Sequence, residues 1–166
     1  MDRNLAIIAL GSNLGNSQQT LREAIGRIQQ LSAAPLLQSS FWETTPVDCP
    51  PGSPIFLNAV IAVAPKSGET PESLLSKLQL LETEFGRQAK KISNEPRPLD
   101  LDLILFGDEI RSGPALILPH PRAHLRRFVL QPLAEITPDL HLPGLAGSVS
   151  DLLRYLVSDE KIRKAG

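Results

Sequence analysis

A chain of 166 residues with 42% hydrophobic side chains is about the size of one ordinary domain and can bury one good core, so residues 1–166 are expected to form a single domain. Seventeen Lys and Arg against eighteen Asp and Glu leave a formal charge of −1, which argues against nucleic acid or an anionic membrane as partner and confines any anion site to a local cluster. The start Met1-Asp2-Arg3-Asn4 lacks a signal-peptide pattern, no apolar run approaches transmembrane length, and the one cysteine, Cys49, has no second thiol for a disulfide or a soft-metal site. A cytoplasmic monomer is the expectation.

Leu5 to Leu10 reads as a buried strand that ends at the turn Gly11-Ser12-Asn13-Leu14-Gly15-Asn16. Leu21, Ile25, Ile28 and Leu31 then keep helical spacing, with Asn16 or Ser17 able to cap the first turn and an end near Ser32. Two strand-like runs follow, Leu36 to Thr45 and Phe56 to Ala64, joined by a proline-rich loop, Pro46 to Pro54, that is long for a simple hairpin. Thr70-Pro71-Glu72 announces a second helix, with the stripe Leu74, Leu75, Leu78, Leu81 and Phe85 and a stop at Gly86. Arg87 to Pro98 is polar and basic. After it come an acidic strand to Phe106, a turn at Gly107-Asp108, a short apolar run Ala115 to Leu118, the basic segment Pro119 to Phe128, and a last amphipathic helix near Val149 to Leu156. The order strand, helix, strand, strand, helix, strand is βαββαβ, the ferredoxin-like α+β arrangement of an antiparallel sheet flanked by helices, here with C-terminal additions.

The run Arg97-Pro98-Leu99-Asp100-Leu101-Asp102-Leu103 places two carboxylates inside an apolar strand. Side chains alternate, so Asp100 and Asp102 share one face, roughly 7 Å apart along the chain, and the leucines enter a core on the other. Two carboxylates without nearby His or Cys make a hard oxygen site suited to magnesium, completed by water and phosphate oxygens. The bland alternative is a half-exposed strand with its acids facing water. Four other islands could join this one. Gly11 to Asn16 could cradle phosphate with backbone N–H groups, or be a plain strand-to-helix turn. Asn58, an amide interrupting an apolar strand beside Phe56, could read the edge of a heterocycle with the ring stacked on Phe56; alternatively Asn58 satisfies a backbone group and Phe56 is core. The run Glu82, Arg87, Lys90, Lys91 and Arg97 brings cations that could clamp a polyphosphate or simply be solvated, and in the basic cluster His120, Arg122, Arg126, Arg127 and Phe128 the histidine could donate to a phosphate or be wet.

Taken in order, Leu10-Gly11-Ser12-Asn13-Leu14-Gly15, Phe56-Leu57-Asn58-Ala59, Pro96-Arg97-Pro98-Leu99-Asp100-Leu101-Asp102, Leu118-Pro119-His120-Pro121-Arg122, and Arg126 and Phe128 with Pro132 to Ile136 resemble the hydroxymethyl-dihydropterin pyrophosphokinase family of folate biosynthesis. The resemblance spans most of the chain. It implies a ferredoxin-like core and transfer of the β,γ-pyrophosphoryl group of ATP to the hydroxymethyl oxygen of a reduced pterin, with release of AMP. It further implies that Asp100 and Asp102 hold two magnesium ions and that Arg97 and Arg87 join them in catalysis. Phe56 and Phe128 would sandwich the pterin, and Asn58 with Thr44, Pro46 and Val47 would read its edge. Glu82, Arg87, Lys90, Arg97, His120 and Arg126 would form the ATP side. This chain departs from the family pattern at Ser93-Asn94-Glu95, where many members carry a basic, an aromatic and a glycine residue, and at Ala89, where some carry arginine.

Two rivals fit less well. A nucleotidyltransferase places its Gly-Ser and D-x-D motifs close together, whereas Ser12 and Asp100 lie far apart in this chain. An RNA-binding sheet calls for several exposed aromatics and a basic charge, and the sequence has neither.

Overall fold

The computed structural model describes residues 4–44, 55–86, 98–158 and 160–165. In chain order these form β1 (Ala6–Ser12), α1 (Ser17–Gln29), β2 (Leu37–Gln38), β3 (Trp42–Thr44), β4 (Phe56–Val63), α2 (Pro71–Glu84), β5 (Asp100–Phe106), β6 (Arg111–Ser112), β7 (Ile117–Leu118), a single 3-10 turn (Ala123–Leu125), α3 (Arg127–Ile136), α4 (Val149–Tyr155) and β8 (Ile162–Lys164). The main sheet runs β5-β1-β4-β3-β8, with β2 on the far end of β4. Its pairings are antiparallel, as a ferredoxin-like core requires. Among the described residues no helix is long and apolar enough to cross a membrane.

Every residue of β1 is buried, because both faces of the sheet are covered. Ile8 and Leu10 enter one core with Leu21, Ile25 and Ile28 of α1, Leu74, Leu78 and Leu81 of α2, and Leu101 and Leu103 of β5. Ile7 and Ala9 enter a second core with Val60 and Ala62 of β4, Val129, Leu130 and Leu133 of α3, and Val149 of α4. The two ferredoxin-type helices therefore share one face, and the added helices take the other. Both early helices begin as their sequences predict. The Asn16 side chain accepts from the Gln19 N–H, and Thr70 and Ser73 form a capping box with Pro71 in the first turn. Gly86, at φ +98°, follows the Phe85 C-cap of α2 in the left-handed conformation that glycine tolerates.

Four elements differ from the sequence-based expectation. The strand expected at Leu36–Thr45 is split into β2 and β3. Ser39 exchanges hydrogen bonds with Val60 through its own N–H (3.0 Å) and its Oγ (2.9 Å), which replaces a regular ladder step with a side-chain one. The first strand does not turn at Gly11 but continues through Ser12, with Gly11 paired to both Asn58 and Asp100. Helix α3 went unread because Pro132 lies inside it and Arg126 offers no side-chain cap. Its cap comes from a distance: Glu160 Oε1 accepts from the Arg127 N–H at 2.7 Å. Strand β8 is only three residues long and is held to β3 by the ladder, by Arg163 Nε on Glu43 (2.7 Å) and by Lys164 over the Trp42 ring (5.4 Å).

A carboxylate that satisfies a helix N-terminus contributes on the order of 1 kcal/mol. Glu160→Ala should lower the unfolding free energy in urea by about that amount. An unchanged midpoint would show that the α3 terminus does not depend on this bond.

Candidate active site

Register assembles the site. Pairing Trp42 with Asn58, Asn58 with Gly11, and Gly11 with Asp100 makes one row across four strands. The next row is Val60, Ala9 and Asp102. Directly paired residues face the same side, so Asn58, Asp100 and Asp102 all project on the α3 face, where β1 contributes only Ala9 and Gly11 to these two rows. Strand spacing puts the backbones of Asn58 and Asp100 roughly 10 Å apart, with nothing but glycine between them.

Gly11 is needed there for space. A Cβ built on it would lie 3.0 Å from Asn58 Oδ1 and 3.7 Å from Phe56 Cδ1. The Asn58 Nδ2 donates to Thr44 Oγ1 at 2.8 Å, and a methyl on Gly11 would press against the other end of that amide. Asn58 and Thr44 are both buried. Among the described residues this is the side-chain hydrogen bond that Asn58 makes. Phe56, at the start of β4, sits half-buried at the same end. Phe128 is half-buried in the first turn of α3, with the Arg126 guanidinium 5.4 Å from its ring centroid.

At the other end of the row Asp100 and Asp102 are partly exposed, and Leu101 between them is buried in the opposite core. Glu82, expected on the ATP side, is largely buried, and its Oε2 accepts from the Leu101 N–H at 2.7 Å. With that oxygen committed to the outer edge of β5, Glu82 fixes the strand that carries the two aspartates. His120 is tied to the same strand by its backbone N–H, which donates to the Ile104 carbonyl at 2.8 Å. Its Nδ1 accepts from the Arg122 N–H at 3.2 Å, so the proton of the neutral ring is on Nε2. Burial, then the charges of Arg126 and Arg122, hold the imidazole pKa below its usual value against a smaller opposing pull from Asp100.

The structure thus puts Asn58, Asp100 and Asp102 on one face of the sheet, with Thr44 bonded to Asn58 and His120 within reach of the charges of Asp100, Arg122 and Arg126. Pro46, Val47, Arg87, Lys90 and Arg97 lie outside the described residues. The Gly11–Asn16 island is a strand end and a helix cap: Ser12 Oγ donates to Ser17 Oγ at 2.9 Å, and Asn16 caps α1. Gly11 contributes to the site by a route its sequence does not advertise, because the reason for it is a cross-strand neighbour.

The arrangement is that of a ferredoxin-like enzyme whose sheet presents an amide and aromatic rings at one end and paired carboxylates with cations at the other. Comparison with known proteins gives the same answer. Residues 7–138 match the family described as 7,8-dihydro-6-hydroxymethylpterin-pyrophosphokinase, HPPK. The 2-amino-4-hydroxy-6-hydroxymethyldihydropteridine pyrophosphokinase of Haemophilus influenzae is 38% identical over 159 residues, covering 95% of this chain and 96% of that protein. The protein of the same name from Bacillus subtilis is 42% identical over 134 residues, covering 80% and 78%. The folic acid synthesis protein fol1 of Pneumocystis carinii is 37% identical over 96% of this chain, which spans only 21% of that longer protein. Among solved structures, an HPPK-DHPS in complex with substrates superposes with a TM-score of 0.70 at 12% identity, covering 91% of this chain and 45% of the other, a likeness of fold. The chain belongs to the HPPK family, and it is a pyrophosphokinase by class.

A histidine pKa depressed in the folded state costs stability as pH falls. Above the unfolded value near 6.5 both states are neutral; below it the unfolded chain takes up a proton that the folded one resists, down to the folded pKa. Wild-type protein should therefore lose stability on acidification from pH 7 through this window, and His120→Gln should lose less. Ring ¹⁵N shifts at pH 7 should show Nε2 protonated and Nδ1 bare; an imidazolium at pH 7 would contradict the assignment.

Proposed function

We propose that this site transfers the β,γ-pyrophosphoryl group of ATP to the hydroxymethyl oxygen of 6-hydroxymethyl-7,8-dihydropterin. The hydroxyl oxygen bonds to the β-phosphorus, the bond from that phosphorus to the α,β-bridging oxygen breaks, the hydroxyl proton is released and AMP departs. The observation that supports this reading is the row Asn58–Gly11–Asp100, which puts an amide and a carboxylate on one face of the sheet with only a glycine between them. A bicyclic ring with a one-carbon arm matches such a row. In this reading the ring sits on the Gly11 side of the sheet between Phe56 and Phe128, its edge meets Asn58 and Thr44, and its hydroxymethyl arm extends toward Asp100.

Phe56 and Phe128 close on the two ring faces, and stacking of this kind orients a flat ligand while excluding water. The backbones of Thr44, Pro46 and Val47 add edge contacts in this reading. Asp100 and Asp102 supply oxygen donors on one face, a set that fits magnesium and would hold it together with water and phosphate oxygens. When bound, two ions by family likeness, magnesium supplies neutralisation of phosphate charge. His120 donates its Nε2–H to a phosphate oxygen, and Arg126, with Arg87, Lys90 and Arg97, supplies positive charge around the polyphosphate. Phosphoryl-type transfer asks for positioning and charge stabilisation more than for covalent help, so this set suffices without a dedicated general base.

AMP release should require ATP, magnesium and the pterin together; AMP formed equally without pterin would sink the reading. Asp100→Asn or Asp102→Asn should cut turnover by about a hundredfold or more with the circular dichroism spectrum unchanged. Near-normal turnover in both would remove the carboxylates from the mechanism. Gly11→Ala, whose new methyl displaces the Asn58 amide, should raise the pterin KM by about tenfold and leave the ATP KM within about twofold. An unaltered pterin KM would place the ring elsewhere.

A further inference from the structure

Glu135 sits one residue from the C-terminal end of α3, where the helix dipole disfavours a carboxylate. Its partners lie at β3, just before β3 and on β8. Oε1 accepts from the Ser40 N–H (2.9 Å) and from the Trp42 indole N–H (3.1 Å), Oε2 accepts from Ser40 Oγ (2.5 Å), and Lys164 Nζ lies 4.0 Å from Oε2. Burial alone would raise its pKa, yet the bonds from Ser40 and Trp42 and the nearby Lys164 charge outweigh that and keep it ionised.

Phe128 and Glu135 are seven positions apart in the sequence, two helical turns, so they share one face about 10 Å apart along the axis. Between them Pro132 gives no N–H to the Phe128 carbonyl, which loosens the helix between these two points. The apolar residues that seat α3, Val129, Leu130 and Leu133, supply adhesion without direction. Direction comes from Glu160 at one end and from Glu135 at the other. What Glu135 grips is also specific. Trp42 is the register partner of Asn58, and Thr44, two residues on along β3, holds the Asn58 amide.

We propose that Glu135 is a positioning residue for the pterin cleft: its carboxylate fixes α3, which carries Phe128, against β3, which carries Thr44 beside Asn58. The inference rests on the pterin-site reading given above. Cutting the clamp lets the Phe128 wall drift relative to the Asn58–Thr44 edge, so the ring is held less well, while the ATP side, built on β5 and the His120 segment, is undisturbed.

Steady-state kinetics of Glu135→Ala, Glu135→Gln and Asn58→Ala, with both substrates varied, test this. Glu135→Ala should raise the pterin KM about tenfold and Glu135→Gln about threefold, with the ATP KM within about twofold and kcat within about threefold of wild type. Trp42 is the sole tryptophan, so a shift of its emission in the ligand-free variants verifies that the clamp has been cut. If Glu135→Ala does not fold, Glu135→Gln, which keeps one acceptor oxygen, carries the test. An unchanged pterin KM in the folded Glu135 variants, alongside a raised one in Asn58→Ala, overturns the inference alone. Equal rises in both KM values also overturn it, because they mark general loosening. An unchanged pterin KM in Asn58→Ala overturns the reading on which the inference rests.

Discussion

The α3 face of the central strand runs short of side chains at Ala9 and Gly11, and the site is built on that deficit. Strand β1 lies between β4 and β5 and is buried along its whole length. Toward α1 and α2 it presents Ile8 and Leu10, which interdigitate with leucines and isoleucines. Toward α3 it presents Ile7, then Ala9, then Gly11, a series that shrinks to nothing as it approaches the site. A sheet face without side chains ordinarily forfeits packing. Here that stretch is bordered by Asn58 and Asp100, so small apolar residues lie between polar ones, and the proposed reading sets a flat heterocycle with a reactive arm against them.

The neighbouring elements hold the borders of that stretch in place. Strand β5 is an edge strand, and an edge carries unpaired N–H groups that would let it shift. Glu82 takes up one of them at Leu101, between the two aspartates. The Ile104 carbonyl on the same strand accepts from His120. Two carboxylates on β5 and the backbone of His120, bonded to that strand, are thereby held together, with Arg122 and Arg126 near the His120 ring. On the opposite border Glu135 and Glu160 secure α3, and β8 covers the outer edge of β3. Acidic residues thus act both as site groups and as the ties that hold the site's walls.

How much of this was legible in the sequence follows from the range of each interaction. The aspartate pair stands out because period-2 alternation is local and charge in an apolar strand is conspicuous. Both ferredoxin-type helices are legible for the same reason, since Asn16, Thr70, Pro71 and Gly86 are adjacent signals. Gly11 was taken for a turn residue because glycine in a run ending Gly-Ser-Asn usually supplies conformational freedom, whereas its use here is to leave room for Asn58 on the next strand. Helix α3 was obscured by Pro132 and by a cap drawn from Glu160, distant in sequence. The Glu135 clamp was equally hidden, because Ser40 and Trp42 are more than ninety positions away. Local pattern reports elements and the residues that stand out within them; it does not report which distant side chain completes them.

A crystal structure with the reduced pterin and a non-hydrolysable ATP analogue tests the central claim most directly. The account predicts the ring over Gly11, between Phe56 and Phe128, with its edge within hydrogen-bond distance of Asn58 and its hydroxymethyl oxygen pointing to Asp100 and the β-phosphorus. A ring bound away from Gly11, or one whose hydroxymethyl group points away from the aspartates, would contradict it.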